Sequence, residues 1–379
     1  MSNVEEGEFE IHVLDFTFKV LTICGCWRPK SWTSIYKRVA YRLYTILLIL
    51  LTNTFVLSQI MDIILIADNP DDLSDNFCIL LPMFITCYKM LSLLVNRKSI
   101  AKLTNILIEE PCRPLRPNEV KIQQKFDKGI QINTLHYATL GLTACASAVF
   151  TSLLTNFGER KLTYRAWMPF EYSSTTLFSL LYAHQLIGLT FGALMNVACD
   201  GLLCGFLVHI CCQLEILTSR LKEIMFYSRT IRDCVRQHCV IFRFAVIVNA
   251  TFNMIITIQF VMSMLVVCFN LYQVTEMTIN AKYIRIAMLM CCMLTQIFVY
   301  CWYGNEVKLK SRQLIDNIFE MEWLAMDKNL KQSLIIIMRR ATIPIEITSS
   351  YIISMNLESF MGVLKTSYSV YNLLQQMQE

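Results

Sequence analysis

Long apolar runs separated by shorter basic segments form the main pattern along this chain. Six of these runs are long enough to cross a bilayer, because a helix needs roughly 20 apolar residues to span the hydrocarbon core. They cover residues 44–66, 77–95, 135–157, 175–212, 244–272 and 283–303. The pattern predicts an all-α membrane protein in which these runs are transmembrane helices.

A seventh helix is predicted over residues 356–376, and its character is different. The segment is long enough to cross a membrane, but it is too polar to face lipid on all sides. A helical wheel places five residues on one face at spacings of three and four: Gly362, Thr366, Ser369, Leu373 and Gln376. This face suits water, so the helix is predicted to pack among protein on some sides and to line a pore on another.

The composition agrees with a membrane protein. Hydrophobic residues make up 55% of the chain, charged residues make up 17%, and the mean hydropathy is +0.46. This mixture is more apolar than that of soluble globular domains. The sequence has no glycine-rich phosphate loop, nucleophile motif, metal-ligand spacing or nucleic-acid signature. We therefore expect no enzyme activity, no cofactor or metal, and no nucleic-acid partner.

Basic residues orient the predicted helices. Most of the 34 Lys and Arg residues lie before the first run, between the second and third, between the fourth and fifth, and after the sixth. The opposite loops carry only Arg160, Lys161, Arg165, Lys282 and Arg285. Because cytoplasmic loops hold an excess of Lys and Arg, the N-terminus is predicted to be cytoplasmic. Seven crossings then place the C-terminus outside the cell.

Four segments follow from this pattern. Residues 1–43 are a cytoplasmic segment in which residues 9–27 have the spacing of an amphipathic helix, which either contacts lipid or packs under the bundle. Residues 44–303 are the six-helix bundle. Residues 304–350 are a cytoplasmic anchor or assembly segment with a helix that ends before Pro344. Residues 351–379 hold the pore-lining helix, so the last element is split into a cytoplasmic and a pore-lining piece.

Polar residues inside the apolar runs have structural interpretations. Lys89 lies near the cytoplasmic end of the second run, where its side chain is expected to extend to the membrane interface. His136, His184 and Asp200 have no spacing typical of metal or proton-transfer sites, which favours hydrogen bonds between helices. Cys78 and Cys268 lie near the outer ends of two runs, and the sequence leaves open whether they pair.

Several short motifs lie after residue 297. They are Cys301-Trp302-Tyr303-Gly304-Asn305-Glu306, Glu322-Trp323 with Asp327-Lys328, Ile337-Met338-Arg339-Arg340 with Pro344, and the ending from Leu364 to Leu374. In addition, Trp167-Met168-Pro169-Phe170 precedes the fourth run. This set resembles the C-terminal third and the second outer loop of insect odorant receptors, and the resemblance is specific mainly after residue 297.

The resemblance implies a function. Members of that family have seven helices with a cytoplasmic N-terminus, assemble as tetramers around a central pore, and open a non-selective cation path when an odorant binds within the membrane. This chain lacks the long insertion that the shared co-receptor carries between the fourth and fifth helices, so it resembles a tuning subunit. We therefore expect an odorant-gated cation channel subunit that forms a heterotetramer with the co-receptor. It would bind a volatile organic ligand, contact lipid and pass cations in the plasma membrane of olfactory sensory neurons.

Other membrane proteins remain as alternatives. A gustatory-type receptor channel of the same superfamily would act as a homotetramer without the co-receptor. A G-protein-coupled receptor is disfavoured by the orientation and by the lack of an acidic-Arg-Tyr triplet and an Asn-Pro-x-x-Tyr motif. A transporter would need inverted repeats with broken helices, which the sequence does not indicate.

The resemblance also implies a gate on the last helix. Alignment on residues 356–360 places a hydrophobic gate at Leu373 and its polar outer neighbour at Gln376, with Ser369 and Thr366 along the path below. A hydrophobic ring closes a pore by excluding water and conducts when it widens. Lys365 fits this path poorly, because a cation repels permeating cations.

An odorant site is expected to be a closed, mainly apolar pocket, since volatile ligands offer mostly hydrophobic contact. The resemblance places it in the outer half of the bundle, between the second, third, fourth and sixth helices. Aromatic and Met residues at helical spacing are also typical of an ordinary core. The matching residues are Met83, Phe84, Cys87, Tyr88, Ala146, Val149, Phe150, Phe178, Leu181, Tyr182, Tyr283, Ala287 and Met290.

Overall fold

Ten helices and one short hairpin make up the part of the fold that the structure describes. The structure is a computed structural model that describes residues 12–29, 31–66, 70–171, 174–224, 231–276, 281–323, 326–349 and 353–376. Within these ranges the helices are α1 (His12–Ile23), α2 (Ile35–Leu65), α3 (Pro70–Val95), α4 (Arg97–Ile108), α5 (Pro117–Thr155), α6 (Thr175–Lys222), α7 (Ile231–Glu276), α8 (Ala281–Phe319), α9 (Lys328–Ala341) and α10 (Leu357–Gln376). The hairpin is β1 (Thr348–Ser349) paired antiparallel with β2 (Ile353–Ser354).

The six apolar runs fall on α2, α3, α5, α6, α7 and α8, and each of these helices is long and apolar enough to cross a membrane. The helix α10, with 20 residues, is the seventh long element, and together they give the seven-helix all-α fold that the sequence predicts. Most of the six extend beyond their apolar runs at the end predicted to be cytoplasmic. There they carry charged residues that a bilayer would not accept.

The centre of the bundle is α6. This 48-residue helix is apolar around its whole circumference, and its most apolar window is fully buried. A helix with that character has to be surrounded by protein or lipid. Here it contacts α1, α2, α3, α5, α7 and α8, so every other membrane-spanning candidate among the described helices packs on this one.

The N-terminal amphipathic helix packs on the bundle. In α1, the side chains of Leu14 and Leu21 are buried. Thr17 and Leu14 lie against Gly201 and Gly205 of α6, where an added Cβ would meet their side chains at 3.3 and 2.8 Å. Of the two alternatives left open by the sequence, protein packing therefore accounts for the inner face of α1.

In the C-terminal third, the boundary predicted at residue 304 does not coincide with the end of a helix. Residue 304 lies inside α8, which continues without a break to Phe319, so the bundle and the segment predicted to be cytoplasmic share a helix. The helix α9 begins after Asp327, whose carboxylate accepts a hydrogen bond from the backbone N–H of Leu330 at 2.9 Å. It ends at Ala341, before Pro344, and the hairpin then leads into α10. The sequence interpretation overlooked both α4 and this hairpin.

A buried charge network joins the ends of α5, α6 and α7. The guanidinium of Arg220 donates to Glu119 at 2.7 and 2.9 Å and to the side-chain oxygen of Gln237 at 2.7 Å. The same group donates to the backbone oxygens of Pro111 and Arg113. Each buried charge thus has several partners, as a desolvated ion pair requires. This network fixes the long loop before α5 against the bundle.

Candidate functional site

A cavity lies between α3, α5, α6 and α8, and the loop between α5 and α6 forms part of its wall. Its volume is about 220 Å³. The four helices are those expected to enclose an odorant, and the cavity lies toward the end of the bundle predicted to be extracellular. Its apolar wall is formed by Ile79, Pro82 and Met83 of α3, Ala144, Cys145 and Ala148 of α5, Leu189, Ala193 and Val197 of α6, and Ile286, Leu289 and Met293 of α8.

Small residues on α5 and α6 create the space. On α5, Gly141, Ala144, Cys145 and Ala148 follow one another at spacings of three, one and three, so they share one helix face. On α6, Gly192 allows Met83 to approach the backbone, because a Cβ at this position would lie 2.8 Å from the Met83 sulfur. Larger side chains at these positions would fill the cavity.

The inner end of the cavity is polar. Tyr137, Asn196 and Gln296 line it, and each is bonded to other protein groups. The Asn196 side-chain oxygen accepts from Lys89 at 2.9 Å, and its nitrogen donates to the Thr86 hydroxyl at 2.7 Å. The Gln296 side-chain oxygen accepts from the amide nitrogen of Gln259 at 2.9 Å.

Beneath this floor lies an ion pair. The Lys89 ammonium nitrogen is 2.6 Å from a carboxylate oxygen of Asp200. The carboxylate also accepts from the hydroxyl of Tyr137 at 3.0 Å, from the hydroxyl of Tyr300 at 2.5 Å and from the amide of Gln296. Asp200 therefore has four donors, which satisfies a buried carboxylate.

The interpretation of Lys89 from sequence was wrong. Its side chain is 0% exposed and points into the bundle toward α6, not to the membrane interface. A buried ammonium needs an anionic partner because desolvation disfavours its charge. The partner here is Asp200, which is 111 positions away in the sequence, so no local pattern indicated the pair. Two of the other polar residues follow the expectation: Asp200 bonds between helices, and a His184 ring nitrogen on α6 lies 2.9 Å from the Thr54 hydroxyl on α2. The His136 side chain does not, because it is exposed on α5.

Charged groups gather at the outer end of the cavity. Asp75, Arg165 and Arg285 line it together with Gln273 and Tyr164. Asp75 accepts from the Gln273 amide at 2.6 Å. The Arg285 guanidinium carbon lies 5.7 Å from the centroid of the Tyr164 ring, a distance typical of a cation–π contact. Burial raises the pKa of Tyr164 to about 12, although Arg285 acts in the opposite direction, so this phenol is neutral at physiological pH.

Among the thirteen residues predicted to bind a ligand, Met83 lines the cavity. The other twelve lie outside its wall. Phe84 and Phe150 are exposed at the surface of this chain, and Cys87 is buried beside Met83 in a cluster with Phe55. Tyr88 packs against the main core, while Ala146, Val149, Leu181, Tyr283, Ala287 and Met290 are exposed or half-buried.

The two remaining residues form an aromatic cluster next to the cavity. The rings of Phe178 and Tyr182 are 5.8 Å apart, and Phe157 lies 5.2 Å from Tyr182. The Tyr182 and Ser152 hydroxyls are 2.7 Å apart, and Ser152 donates to the cavity-lining Thr163 at 2.8 Å. This cluster therefore supports the outer wall without forming it.

Cys78 and Cys268 are both buried free thiols. The Cys78 thiol donates to the Asn270 side-chain oxygen at 3.0 Å, so it is directed toward an amide of α7 and not toward another sulfur. The possible pairing that the sequence left open is not present.

The last helix shows two faces. Ser367 is 0% exposed and donates to the backbone oxygen of Met264 on α7 at 3.4 Å. The opposite side is uncovered in the single chain, and it carries Thr366, Ser369, Leu373 and Gln376, as well as Lys365. Leu373 is 58% exposed. The four residues predicted to line a pore thus share one open surface.

Known proteins resemble this chain over most of its length. The family model described as 7tm Odorant receptor matches residues 69–368. Odorant receptor 46a, isoform A, of Drosophila melanogaster is 24% identical over 76% of this chain and 77% of its own length. Odorant receptor 2a of the same species is 23% identical over 99% of both chains. The match with Odorant receptor 94a of that species spans only 58% of the relative's length.

Solved structures share the fold. The insect olfactory receptor OR5 from Machilis hrabei, solved in complex with eugenol, superposes with a TM-score of 0.86 over 96% of this chain and 97% of that chain, at 16% identity. At this identity the likeness establishes the seven-helix architecture alone. The family model, by contrast, covers well over half of the chain, and the curated relatives are receptors and not enzymes. The chain therefore belongs to the 7tm odorant receptor family.

Proposed function

We propose that this chain is the tuning subunit of an odorant-gated, non-selective cation channel in the plasma membrane, and that it works in a heterotetramer with a co-receptor. The observation that carries the proposal is the cavity between α3, α5, α6 and α8. It is small, lined mainly by apolar side chains and bounded at its two ends by polar groups, which is the character of a site for a small organic ligand.

The surface of α10 supports the channel part of the proposal. A lone chain in lipid would gain nothing from exposing Thr366 and Gln376, because unpaired polar groups are costly in hydrocarbon. Ser369, whose hydroxyl donates to the backbone oxygen of Lys365 at 2.9 Å, is a further polar side chain on the same face. Around a pore the same face would meet water, and Leu373 would form the hydrophobic constriction. The covered side of α10, anchored by Ser367 on α7, would transmit movements of the bundle to this helix.

Electrophysiology tests the proposal directly. Cells that express this chain with an odorant co-receptor are expected to show cation currents in response to some members of a broad panel of volatile compounds. Cells that express the chain alone are expected to show none. Robust currents from the chain alone would overturn the requirement for the co-receptor and would favour a homotetrameric channel. If the chain reaches the surface with the co-receptor and no compound evokes current, the odorant-gated channel is contradicted.

A matched pair of variants tests the gate. Leu373→Ala is expected to raise the basal current, since a smaller side chain weakens the exclusion of water from the constriction. Met361→Ala is the control, because Met361 is also exposed on α10, at 50%, but lies on a different face. Equal basal currents in the two variants at equal surface expression would contradict the gate at Leu373.

A further inference from the structure

We propose that Arg285 makes this cavity selective for neutral volatile ligands with a carbonyl oxygen: ketones, aldehydes and esters. The inference rests on the proposed function only in taking the cavity as the ligand site. Its basis is a comparison of the polar groups on the cavity wall, because a group that already has its partners offers little to a ligand.

The inner polar groups are already bonded. Asn196 accepts from Lys89 and donates to Thr86, and Gln296 donates to Asp200 and accepts from Gln259. Tyr137 uses its proton on Asp200. The floor therefore presents no unused charged donor, and a ligand is expected to direct its apolar end toward it.

Two of the outer charges are bonded as well. The Arg165 nitrogen lies 3.4 Å from Asp62, which also accepts from the Asn76 amide at 2.6 Å. Asp75 accepts from Gln273 at 2.6 Å. Because both carboxylates already accept hydrogen bonds from the protein, we do not expect them to bind a cationic ligand.

Arg285 is different. It is half-buried, it lines the cavity, and its contact is with the face of the Tyr164 ring. Among the side chains that the structure describes, no carboxylate lies within ion-pair distance of it. Stacking on a ring leaves the guanidinium edge open, and that edge carries up to five N–H donors. Arg285 thus holds donors on the cavity wall that lack an anionic acceptor.

The charge balance selects a neutral ligand over an anion. Among the side chains that the structure describes at this end of the cavity, two carboxylates, Asp62 and Asp75, accompany two guanidiniums, Arg165 and Arg285. The group has no excess charge, so an anionic ligand would add an uncompensated charge. A carbonyl oxygen accepts hydrogen bonds from Arg285 without adding charge, and its hydrocarbon chain would occupy the apolar wall near Met83 and Met293.

The experiment uses the parent channel with its co-receptor and five probes of similar length: 2-heptanone, methyl hexanoate, heptane, hexanoate and hexylamine. Arg285→Met removes the donors while keeping a long side chain, and Arg285→Lys keeps a charged donor. Arg160→Met is the control, since Arg160 is an exposed cation in the loop between α5 and α6 that does not line the cavity and donates to the Thr175 hydroxyl. Surface biotinylation verifies equal expression.

For the parent, the ketone and the ester are expected to have the lowest half-maximal concentrations. Arg285→Met is expected to raise these two values about tenfold or more, because hydrogen bonds to charged groups are the stronger ones. Arg285→Lys should recover part of the loss, and Arg160→Met should have no effect. A similar shift for all five probes, no shift for the ketone and ester, or best activation by hexanoate or hexylamine would overturn the inference.

Binding to purified protein separates this inference from the channel proposal. In a thermal-unfolding assay of the detergent-solubilised receptor, 2-heptanone is expected to stabilise the parent and Arg160→Met more than Arg285→Met, and heptane to stabilise all three equally. Ketone-specific stabilisation without any evoked current would support the role of Arg285 while contradicting the gating function. Equal stabilisation of all variants by the ketone would overturn the role of Arg285.

Discussion

Lys89 and Asp200 place a full ion pair in the middle of an apolar bundle, directly under the cavity floor. Such a pair adds little net stability, because the desolvation of both charges offsets their attraction. Removal of one partner, however, is strongly destabilising, since the remaining charge is then buried without an opposite charge. The pair bonds to the cavity-lining side chains of Asn196, Tyr137 and Gln296. Its contribution is therefore to fix the shape of the cavity floor.

We expect Lys89→Met to destabilise the receptor by about 3–5 kcal/mol, with a matching loss of surface expression. The double variant Lys89→Met/Asp200→Asn should recover much of this loss, because it removes the orphaned charge. The melting temperature of the purified protein and surface biotinylation measure both effects. If the double variant is as unstable as the single one, uncompensated charge is not the cause.

Gly192 and Gly141 test how the cavity is kept open. An added Cβ at Gly192 would lie 2.8 Å from the flexible Met83 side chain, whereas at Gly141 it would lie 3.6 Å from Val197, an ordinary contact. Gly192→Ala is therefore expected to displace Met83 into the cavity and to weaken activation by the larger ligands. Gly141→Ala adds one methyl group to the cavity wall without displacing a neighbour, so it should weaken activation less than Gly192→Ala and gain up to about 1 kcal/mol of stability from the lower flexibility of the unfolded chain. Dose–response curves and melting temperatures of both variants provide the comparison, and an equal response in the two would contradict the contact with Met83.

At the scale of residues, the sequence did not fully predict which side chains face the cavity. The sequence interpretation favoured large aromatic residues such as Phe150 and Tyr182, yet the cavity lies against small ones such as Gly141 and Ala144. Cavities form where side chains are missing, so a face of small residues on α5 was the available signal. The pairing of Lys89 with Asp200 joins helices that are far apart in sequence, and no local pattern encodes it.

At the scale of elements, the apolar runs located every membrane-spanning candidate among the described residues, since the length needed to cross a bilayer is a strong constraint. The same runs predicted the ends of these helices less accurately. Helices such as α5 and α8 continue into charged sequence, where the hydrogen bonds of the backbone persist although hydropathy falls. The helix α4 was missed because it is short and rich in polar residues, and its buried face consists of only Ile100, Leu103 and Leu107.

The hairpin before α10 depends on one close approach to α8. A Cβ on Gly304 would lie 2.3 Å from the backbone oxygen of Met355, and a backbone atom cannot move aside as a flexible side chain does. We expect Gly304→Ala to separate the hairpin from α8, to alter the start of α10 and to reduce the evoked current strongly. The readouts are surface expression and current amplitude.

Gly129→Ala is the matched control for that change. Gly129 is exposed on α5 with nothing within 4 Å of an added Cβ, so Ala at this position should favour the helix and leave the evoked current unchanged. Equal loss of current in the two variants would show that the specific contact between Gly304 and Met355 is not the cause.

At the scale of the whole molecule, the orientation of the bundle follows from charge alone and is open to a direct test. Cys239 on α7 is exposed, whereas Cys112, in the loop before α5, is buried. Both lie at the end predicted to face the cytoplasm. Burial raises the pKa of the Cys112 thiol to about 12, although Arg220 acts in the opposite direction. The thiolate is the reactive form, so relative to its ordinary value of 9.0 this thiol is ionised about a thousandfold less at neutral pH.

A membrane-impermeant maleimide applied to intact cells is therefore expected to leave Cys239 unmodified, and the same reagent applied to inside-out vesicles should label it. Cys239→Ser should abolish that signal. The other exposed thiol, Cys291, lies within an apolar stretch of α8, where lipid excludes the reagent. Cys112 should stay unmodified from both sides, and a rise from pH 7 to pH 9 should leave it so, because its pKa lies well above that range. Labelling of Cys239 from the outside would reverse the orientation, and α10 would then end in the cytoplasm with Leu373 at the inner mouth of the pore.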